Sequence, residues 1–251
     1  MGKKNVFLVL LFTSSFCFCQ ILNVENLRRK NDSSRFSGSM GLNFYLSKNI
    51  NTFFNLTNNI TFQYNTGKHL IFFVNNIVLS EVNTDRFVDI SVQHLRYNLH
   101  IKPLLTYEVF TQFQKDNISS INLRSLFGTG PRFQLLRSQK NNIFLGTLIM
   151  HEHENSVGVS GDVIDRATRG NIYLSLNLNF NKRISFTSTT YYQPKLDELT
   201  DYRISSETSF SITLLKNLAL TTSFSYQFDK FPVLGIPESQ YKLQNGIQYT
   251  F

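Results

Sequence analysis

The tetrapeptide His151-Glu152-His153-Glu154 has the residue types of a metal site, because imidazole and carboxylate groups are common zinc ligands. On a β-strand, however, alternate side chains point to opposite faces, so the histidines share one face and the glutamates the other. The four groups therefore cannot converge on one ion, and no third ligand stands at a recognisable spacing from the histidines. A two-histidine contribution to a metal site stays open, but we predict no metal and no other cofactor.

The same two histidines raise the possibility of a lipid-modifying hydrolase. Barrel enzymes of that kind carry a serine, a histidine and an acidic or amide partner on the lipid-facing surface, and His151 and His153 would lie near Ser156 and Ser160. A nucleophile and its base must come within hydrogen-bond reach, which spacing alone does not show, and the match to such enzymes is poor. Hydrolysis is therefore an alternative hypothesis, and we predict that the protein is not an enzyme.

A set of charged residues lies on the polar face of neighbouring predicted strands, at the alternate positions that carry polar side chains. In a barrel these side chains would point into the lumen, where each charge must be paired or wetted. One role for them is a ladder of ion pairs that fills the interior, and the other is a selectivity zone that chooses among solutes. The set comprises Arg96, Glu108, Arg124, Arg132, Glu152, Glu154, Arg203, Glu207 and Lys242.

Charged residues between the predicted strands give further candidate binding groups. Acidic residues there could hold calcium, although scattered surface acids are usually just solvated. Lysines on the same side could meet lipopolysaccharide phosphates. The acids are Asp162, Asp165, Asp197, Glu198 and Asp201. The lysines are Lys48, Lys115, Lys195 and Lys230.

Alternation of apolar and polar residues supplies the elements that must position these groups. From Phe36 onward, segments of about ten residues alternate and are separated by breaks that contain Asn, Lys, Gly, Pro or Asp. Such alternation is typical of strands. We predict twelve strands: 36–47, 52–65, 69–80, 86–99, 104–114, 119–136, 142–154, 169–181, 184–193, 201–214, 218–229 and 241–251.

The lengths of the connections differ between the two ends of the predicted strands. The short connections share one side: 66–68, 100–103, 137–141, 182–183 and 215–217. The long connections share the other side: 155–168, 194–200 and 230–240. This asymmetry is typical of bacterial outer-membrane barrels with short periplasmic turns and long extracellular loops.

The polar faces of the strands favour a membrane barrel over a soluble sandwich. Alternation alone fits both folds. Here the polar faces are mostly Ser, Thr, Asn and Gln, and only 17% of the chain is charged, against about 25% in soluble domains. Such faces suit an enclosed wet lumen, and the strands are long enough to cross a bilayer. We predict an all-β fold, a transmembrane antiparallel up-and-down β-barrel of about twelve strands over residues 36–251.

Three of the predicted strands depart from simple alternation. In the fourth strand the apolar parity flips between Val92 and Leu95, which predicts a bulge near Gln93-His94. In the sixth strand Gly128-Thr129-Gly130-Pro131 predicts an interruption and a bend. The third strand, Leu70 to Val78, is apolar on both faces, so its register stays open.

Residues 1–19 have the pattern of a cleaved signal peptide. Lys3 and Lys4 precede an apolar run, Val6 to Phe12, that is too short to span a membrane. Cleavage near Cys19 leaves residues 20–35 as a polar periplasmic lead-in, with lipid modification of that cysteine as an alternative. Both cysteines then leave with the leader, so the mature chain has no thiol.

The charge of the mature chain is only moderately basic. Loss of the leader reduces the basic residues from 25 to 23 against 17 acidic residues, which gives a net charge of +6. The basic residues are spread out, and no phosphate loop, Walker motif or nucleotide fingerprint occurs. We therefore predict no nucleic-acid binding.

The chain ends on a predicted strand whose last apolar positions are Tyr249 and Phe251. An aromatic C-terminus of this kind resembles the recognition signal of outer-membrane barrels. The resemblance implies contact with the barrel-assembly machinery and periplasmic chaperones, and afterwards with outer-membrane lipid and lipopolysaccharide. The oligomeric state stays open.

The motifs along the strands resemble those of the salt-stress-induced outer-membrane family catalogued as domain of unknown function 481. They cover roughly residues 36–251 and imply an outer-membrane barrel with no assigned activity. The motifs are Arg96-Tyr97, Leu126-Phe127-Gly128-Thr129-Gly130-Pro131-Arg132, Met150-His151-Glu152-His153-Glu154, Arg169 with Tyr173-Leu174-Ser175, Tyr192-Gln193-Pro194 and Asp201-Tyr202-Arg203.

The sequence therefore predicts a non-enzymatic envelope protein of the bacterial outer membrane. It would act as a narrow diffusion pore or as a structural barrel that supports the membrane under osmotic or salt stress. The alternatives are the lipid-modifying hydrolase and a surface binding module that works through loops 155–168 and 230–240.

Overall fold

Twelve antiparallel strands form one sheet in a computed structural model that describes residues 35–138, 140–158, 161–181, 183–215 and 218–249. Each strand pairs with its neighbours in the chain, so the sheet order is the sequence order. This confirms the predicted up-and-down architecture. The described residues contain no helix that is long and apolar enough to cross a membrane. The predicted signal peptide 1–19, and the lead-in 20–35 apart from Arg35, lie outside the described residues.

The strand bounds follow the alternating segments, because turn-forming residues separate them. In the turn after the second strand, the side-chain oxygen of Asn65 accepts a hydrogen bond from the backbone N–H of Gly67 at 2.8 Å. Gly67 has a positive φ of 84°, which glycine adopts without steric cost. The strands are β1 Phe36–Lys48, β2 Thr52–Asn65, β3 His69–Val82, β4 Asp85–Lys102, β5 Leu105–Asp116, β6 Ile121–Arg137, β7 Asn142–Gly158, β8 Gly161–Asn179, β9 Ile184–Pro194, β10 Tyr202–Leu215, β11 Leu218–Asp229 and β12 Ser239–Tyr249.

The sheet curls, so that side chains from strands that are not neighbours meet inside it. The Arg203 guanidinium on β10 lies 2.5 Å from the Glu152 carboxylate on β7. The Tyr173 hydroxyl on β8 donates to the Glu108 carboxylate on β5 at 2.7 Å. The ladders run from β1–β2 to β11–β12, and none joins β12 to β1 within the described parts of those two strands.

The two faces of the wall differ as the alternation predicts over most of the sheet. Large apolar side chains point outward and are exposed, such as Phe127 (56%), Ile149 (59%) and Leu243 (60%). Inward-facing positions on β5 to β8 are buried and include Glu108 and Glu152, both 0% exposed. The curl therefore encloses charged groups and leaves apolar groups outside.

The interior beside β3 and β4 is apolar, which differs from the prediction. Phe72, Val74 and Val92 form one buried cluster inside the wall, and a second contains Val78 and Ile90. The predicted bulge at Gln93-His94 is wrong, because the β3–β4 and β4–β5 registers are unbroken there. The apparent parity flip arises because the inward face of β4 changes from apolar to polar along its length.

The glycines of β6 and β7 allow close packing inside the wall. The predicted interruption at Gly128-Thr129-Gly130-Pro131 is wrong for the strand itself, since β6 is continuous. The ladder to β7 nevertheless skips Gly130 and Pro131 and resumes in the same register at Arg132. A side chain at Gly128 would overlap the ring of Phe110, and one at Gly146 would overlap the ring of Tyr173. These glycines thus leave room for aromatic rings in the interior.

The segment predicted as the long loop 155–168 is mostly strand. β7 continues to Gly158 and β8 begins at Gly161, and Asn155 pairs with Ile164 in the same register as the rest of the hairpin. The prediction was wrong because polar residues continue both strands beyond the point at which apolar alternation fades. The β7–β8 hairpin therefore projects further than its neighbours.

We expect Gly146→Ala to destabilise the barrel by roughly 1–3 kcal/mol, because the added methyl group displaces the Tyr173 ring. The measurement is urea unfolding of the refolded protein followed by gel mobility with and without heating. Gly246→Ala is the matched control, since a methyl group there meets nothing within 4 Å. Equal unfolding midpoints for the two variants would contradict the packing role of Gly146.

Candidate functional site

Glu152 on β7 is the centre of a buried group of charges that we call the Glu152 cluster: Glu152, Arg124, Arg169 and Arg203. The Arg169 Nε atom lies 2.6 Å from Glu152 Oε2, and Arg203 Nη1 lies 2.5 Å from Oε1. Arg124 Nε also donates to Oε1. Three guanidinium groups from β6, β8 and β10 therefore surround one carboxylate.

Further carboxylates complete the charge balance around the Glu152 cluster. Arg203 reaches Glu154 at 3.0 Å and Asp229 at 2.7 Å. Arg169 donates to both carboxylate oxygens of Asp201, at 2.9 and 3.4 Å. Such forked contacts fix the orientation of a guanidinium group as well as neutralise it. The cluster thus ties β6, β7, β8, β10 and the end of β11 together.

A second group, the Glu108 cluster, consists of Glu108, Arg96, Arg132 and Tyr173. Arg96 and Arg132 contact the two Glu108 oxygens at 3.5 and 3.4 Å, and the Tyr173 hydroxyl donates at 2.7 Å. The Arg132 guanidinium also lies 3.9 Å from the ring centroid of Phe144, which is a favourable cation–π distance. This cluster joins β4, β5, β6 and β8.

The two clusters and their carboxylate partners carry no net charge. Five arginines face five carboxylates, so the charges of the two clusters balance. Loss of one partner would leave a buried charge uncompensated, which costs about 3–5 kcal/mol. The arginines are Arg96, Arg124, Arg132, Arg169 and Arg203, and the carboxylates are Glu108, Glu152, Glu154, Asp201 and Asp229.

The structure brings together seven of the charged residues singled out in the sequence: Arg96, Glu108, Arg124, Arg132, Glu152, Glu154 and Arg203. Glu207 and Lys242 also face inward, in one row on either side of Ser225. Sequence reasoning missed Arg169, Tyr173, Asp201 and Asp229 as members. Parity could have found Arg169 and Tyr173, since both share the inward face of β8 with Ser175.

The opposite side of the interior remains accessible and is lined by small hydroxyl groups. We call this the hydroxyl wall: Ser209, Ser211, Thr221, Ser223 and Ser225, on β10 and β11. Ser223 donates to Ser209 at 3.2 Å, and Thr221 donates to Ser211 at 3.4 Å. All five residues are half-buried, whereas the cluster residues across the interior are buried. The interior is therefore tightly packed on the cluster side and more accessible at the hydroxyl wall.

A cavity of about 690 Å³, the outer vestibule, lies at the end of the barrel that carries the β7–β8 connection. Its apolar lining includes Phe231, Val233 and Leu234 of the β11–β12 connection, together with Val163 and Ile164 of β8. Carboxylates outnumber basic groups in its lining. The carboxylates are Glu154, Asp162, Asp165, Asp201, Asp229 and Glu238, and the basic residues are Arg124, Lys195 and Arg203.

The histidines of the proposed hydrolase lie on the wrong side of the wall for Ser156. His151 and His153 point outward, and His153 Nδ1 lies 3.3 Å from Arg166 Nε. Ser156 points inward and donates to Glu154 at 2.9 Å. The wall thus separates these candidate bases from that candidate nucleophile, and Ser160 lies outside the described residues. Within the described residues, no group of three or more His, Cys, Asp or Glu side chains could hold a metal ion.

Several of the charged residues predicted between strands have protein partners, and one of them, Lys115, lies within β5. Asp201 binds Arg169, Lys115 lies 2.5 Å from Asp89, and Lys230 lies 3.6 Å from Glu238. Tyr249 ends β12 and pairs with Leu218, while Phe251 lies outside the described residues.

We expect Glu152→Gln to lower the free energy of unfolding by about 3 kcal/mol or more, because three buried guanidinium groups lose their shared charge partner. Chemical unfolding in detergent measures the change. Glu198→Gln is the control, since Glu198 lies in an exposed connection. A loss no larger than that of the control would show that Glu152 does not hold the interior together.

Comparisons with known proteins give one family and related folds. The sequence model of the family described as "Protein of unknown function, DUF481" matches residues 26–251. No curated protein matches the chain.

Two solved structures are similar to the chain. A structure titled "NanC porin" is 10% identical, with 85% of this chain and 100% of that chain covered at a TM-score of 0.50. The "CymD monoaromatic hydrocarbon channel" is 9% identical, with 87% of this chain and 80% of that chain covered at a TM-score of 0.46. At such identity the first likeness shows a porin-like β-barrel fold and nothing about the solute.

Proposed function

Since the chain belongs to the DUF481 family of proteins of unknown function, we propose that it is a non-enzymatic barrel of the bacterial outer membrane that acts as a narrow diffusion pore. Its surroundings would be outer-membrane lipid and lipopolysaccharide. The assembly machinery and chaperones implied by Tyr249 and Phe251 remain predicted partners. A role under salt or osmotic stress rests on the family resemblance alone.

Placement in a membrane is supported by the length of the strands and by their outward face. The strands have 11 to 19 residues, and about 9–11 tilted residues cross a bilayer. Outward side chains such as Phe127 and Ile149 are exposed and apolar. Contact of these side chains with acyl chains costs no free energy, whereas their contact with water is unfavourable.

The observation that carries the pore proposal is the uneven filling of the lumen. Ion pairs and rings fill the side formed by β3 to β8, while the hydroxyl wall on β10 and β11 remains half-exposed. Hydroxyl groups can form hydrogen bonds with a passing solute or its water shell without binding it through charge. The geometry therefore favours a slim aqueous path along the hydroxyl wall, with the charged clusters as its rigid opposite side.

The charges along this path predict weak ion selectivity in the middle of the barrel. The clusters are neutral overall, so they create little net field. Three of the six carboxylates that line the outer vestibule are already paired with cluster arginines. Within the described residues, the other three, Asp162, Asp165 and Glu238, face only Lys195 and Lys230, so a small excess of carboxylate would concentrate cations at the mouth. We therefore expect small conductance with a modest preference for cations, weakened by salt.

The pore is tested by single-channel recording with a thiol-labelled variant. Both cysteines of the chain lie at positions 17 and 19, so mature protein carrying Ser223→Cys has one thiol on the hydroxyl wall. We expect a charged methanethiosulfonate reagent to reduce its current by at least half.

Met150→Cys is the matched control, since Met150 is only 1% exposed within the filled side and should leave the current unchanged. An equal reduction of the current in both variants would show that the conducting path does not follow the hydroxyl wall. Wild-type protein that inserts but passes no current in any salt would favour the structural barrel over the pore.

The outer vestibule supports a second candidate function, surface binding of a small ligand. Asp165 lies directly opposite Glu154 in the β7–β8 ladder, and Glu154 is already paired with Arg203. The facing wall is apolar, with Phe231 and Leu234. A cation with an apolar body would pair with the Asp165 carboxylate and cover that wall.

We expect benzyltrimethylammonium to bind the detergent-solubilised barrel, and Asp165→Asn to weaken binding roughly three- to tenfold through the lost charge. Calorimetric titration measures the affinity. Asp197→Asn removes a carboxylate that does not line the vestibule and should leave the affinity unchanged. Identical effects of the two substitutions would exclude a site in the vestibule.

A further inference from the structure

Three amide side chains form a hydrogen-bonded row on the outside of the barrel. The Asn75 Nδ2 group donates to Asn58 Oδ1 at 2.7 Å, and the Gln93 Nε2 group donates to Asn75 Oδ1 at 3.2 Å. The row, which we call the amide row, crosses β2, β3 and β4. All three side chains point outward, because Gln63, Val74 and Val92 on the same three strands are buried and have the opposite parity.

The amide row lies at the middle of each strand. Asn58 is six residues from one end of β2 and seven from the other. Asn75 has the same position in β3, and Gln93 is eight and nine residues from the ends of β4. On the proposed membrane location, the row would therefore face the centre of the hydrocarbon layer.

Amides at that depth need partners that lipid cannot supply. Within the described residues, the Asn58 Nδ2 group and the Gln93 Oε1 atom have no hydrogen-bond partner. A buried polar group without a hydrogen bond costs several kcal/mol in hydrocarbon. Polar groups inside a membrane are accordingly rare and mark functional surfaces.

The free ends of the amide row fit a second copy of the same row. Donors remain at the β2 end, on Asn58, and an acceptor remains at the β4 end, on Gln93. Two barrels inserted in the same direction are related by a twofold axis along the membrane normal. That axis reverses the order of the strands, so β2 of each copy faces β4 of the other and each free donor meets a free acceptor.

The surroundings of the row suit such a contact. Apolar residues lie directly beside each amide in the ladders: Ile77 beside Asn58, Ile60 beside Asn75 and Phe113 beside Gln93. They would pack against the second copy around the hydrogen bonds. Thr222 and Asn245, at 2.8 Å, form a pair on another part of the outward face.

We propose that the amide row is the centre of a twofold dimer interface between two copies of this barrel. The inference rests on the membrane location proposed above. Asn75 would lie nearest the axis, against Asn75 of the second copy, and the two ends of the row would each close one donor–acceptor contact.

The test compares the mass of mature protein in mild detergent for wild type, Asn75→Leu and Asn245→Leu. We expect wild type and Asn245→Leu at twice the chain mass. Asn75→Leu breaks the row and should weaken dimerisation about tenfold or more. It places an apolar group in lipid, so it should fold, and its heat-dependent gel mobility checks this.

Cross-linking in native membranes provides the second measurement. Ile77→Cys lies beside the row, and a short bis-maleimide should join two copies, whereas Leu243→Cys on β12 should give no product.

Monomeric wild type in detergent together with no Ile77→Cys product would overturn the dimer, as would Asn75→Leu that remains fully dimeric. Cross-linking of Ile77→Cys to a different protein would overturn the choice of a second copy. Protein that is soluble without detergent would instead refute the membrane location on which the inference depends.

Discussion

A carboxylate that is removed from water must be met by opposite charge, and Glu152 sets this condition for the whole interior. Its partners come from β6, β8 and β10, so they can meet only if the sheet curls. The Glu108 cluster imposes the same requirement on β4, β5, β6 and β8. Charge pairing and curvature therefore depend on each other, and the glycines at 128 and 146 provide the space for both.

The wall of the barrel does not have an apolar outward face and a polar inward face everywhere. Most outward faces are apolar, yet β3 and β4 place Phe72 and Val92 inside and Asn75 and Gln93 outside. A section of interior that is apolar packs without hydrogen bonds, so it adds rigidity beside the charged clusters. The matching outward amides then need a protein partner if the wall lies in lipid. The apolar inward face and the polar outward face of β3 and β4 thus link the packing of the interior to the proposed dimer.

The two sides of the interior would have different roles, one in rigidity and the other in lining the proposed path. Ion pairs and rings hold the β3–β8 side in one conformation, while the hydroxyl wall would line the proposed path. The outer vestibule lies at the end of the barrel that carries the projecting β7–β8 hairpin. A pore of this form would select mainly by size, because its central charges cancel and its mouth alone carries excess carboxylate.

The sequence by itself determined the strands and most of their faces, because a period of two residues follows directly from strand geometry. It identified twelve strands and placed residues such as Glu108 and Arg203 on the inward side. It misjudged the β7–β8 hairpin, where polar residues continue a strand, and the fourth strand, where the inward face changes character. The tertiary structure alone decided which charges meet, for example Arg203 with Glu152 and Arg169 with Asp201. Distances across the lumen depend on the curvature of the sheet and on the rings that fill it, and neither is encoded in the alternation of one strand.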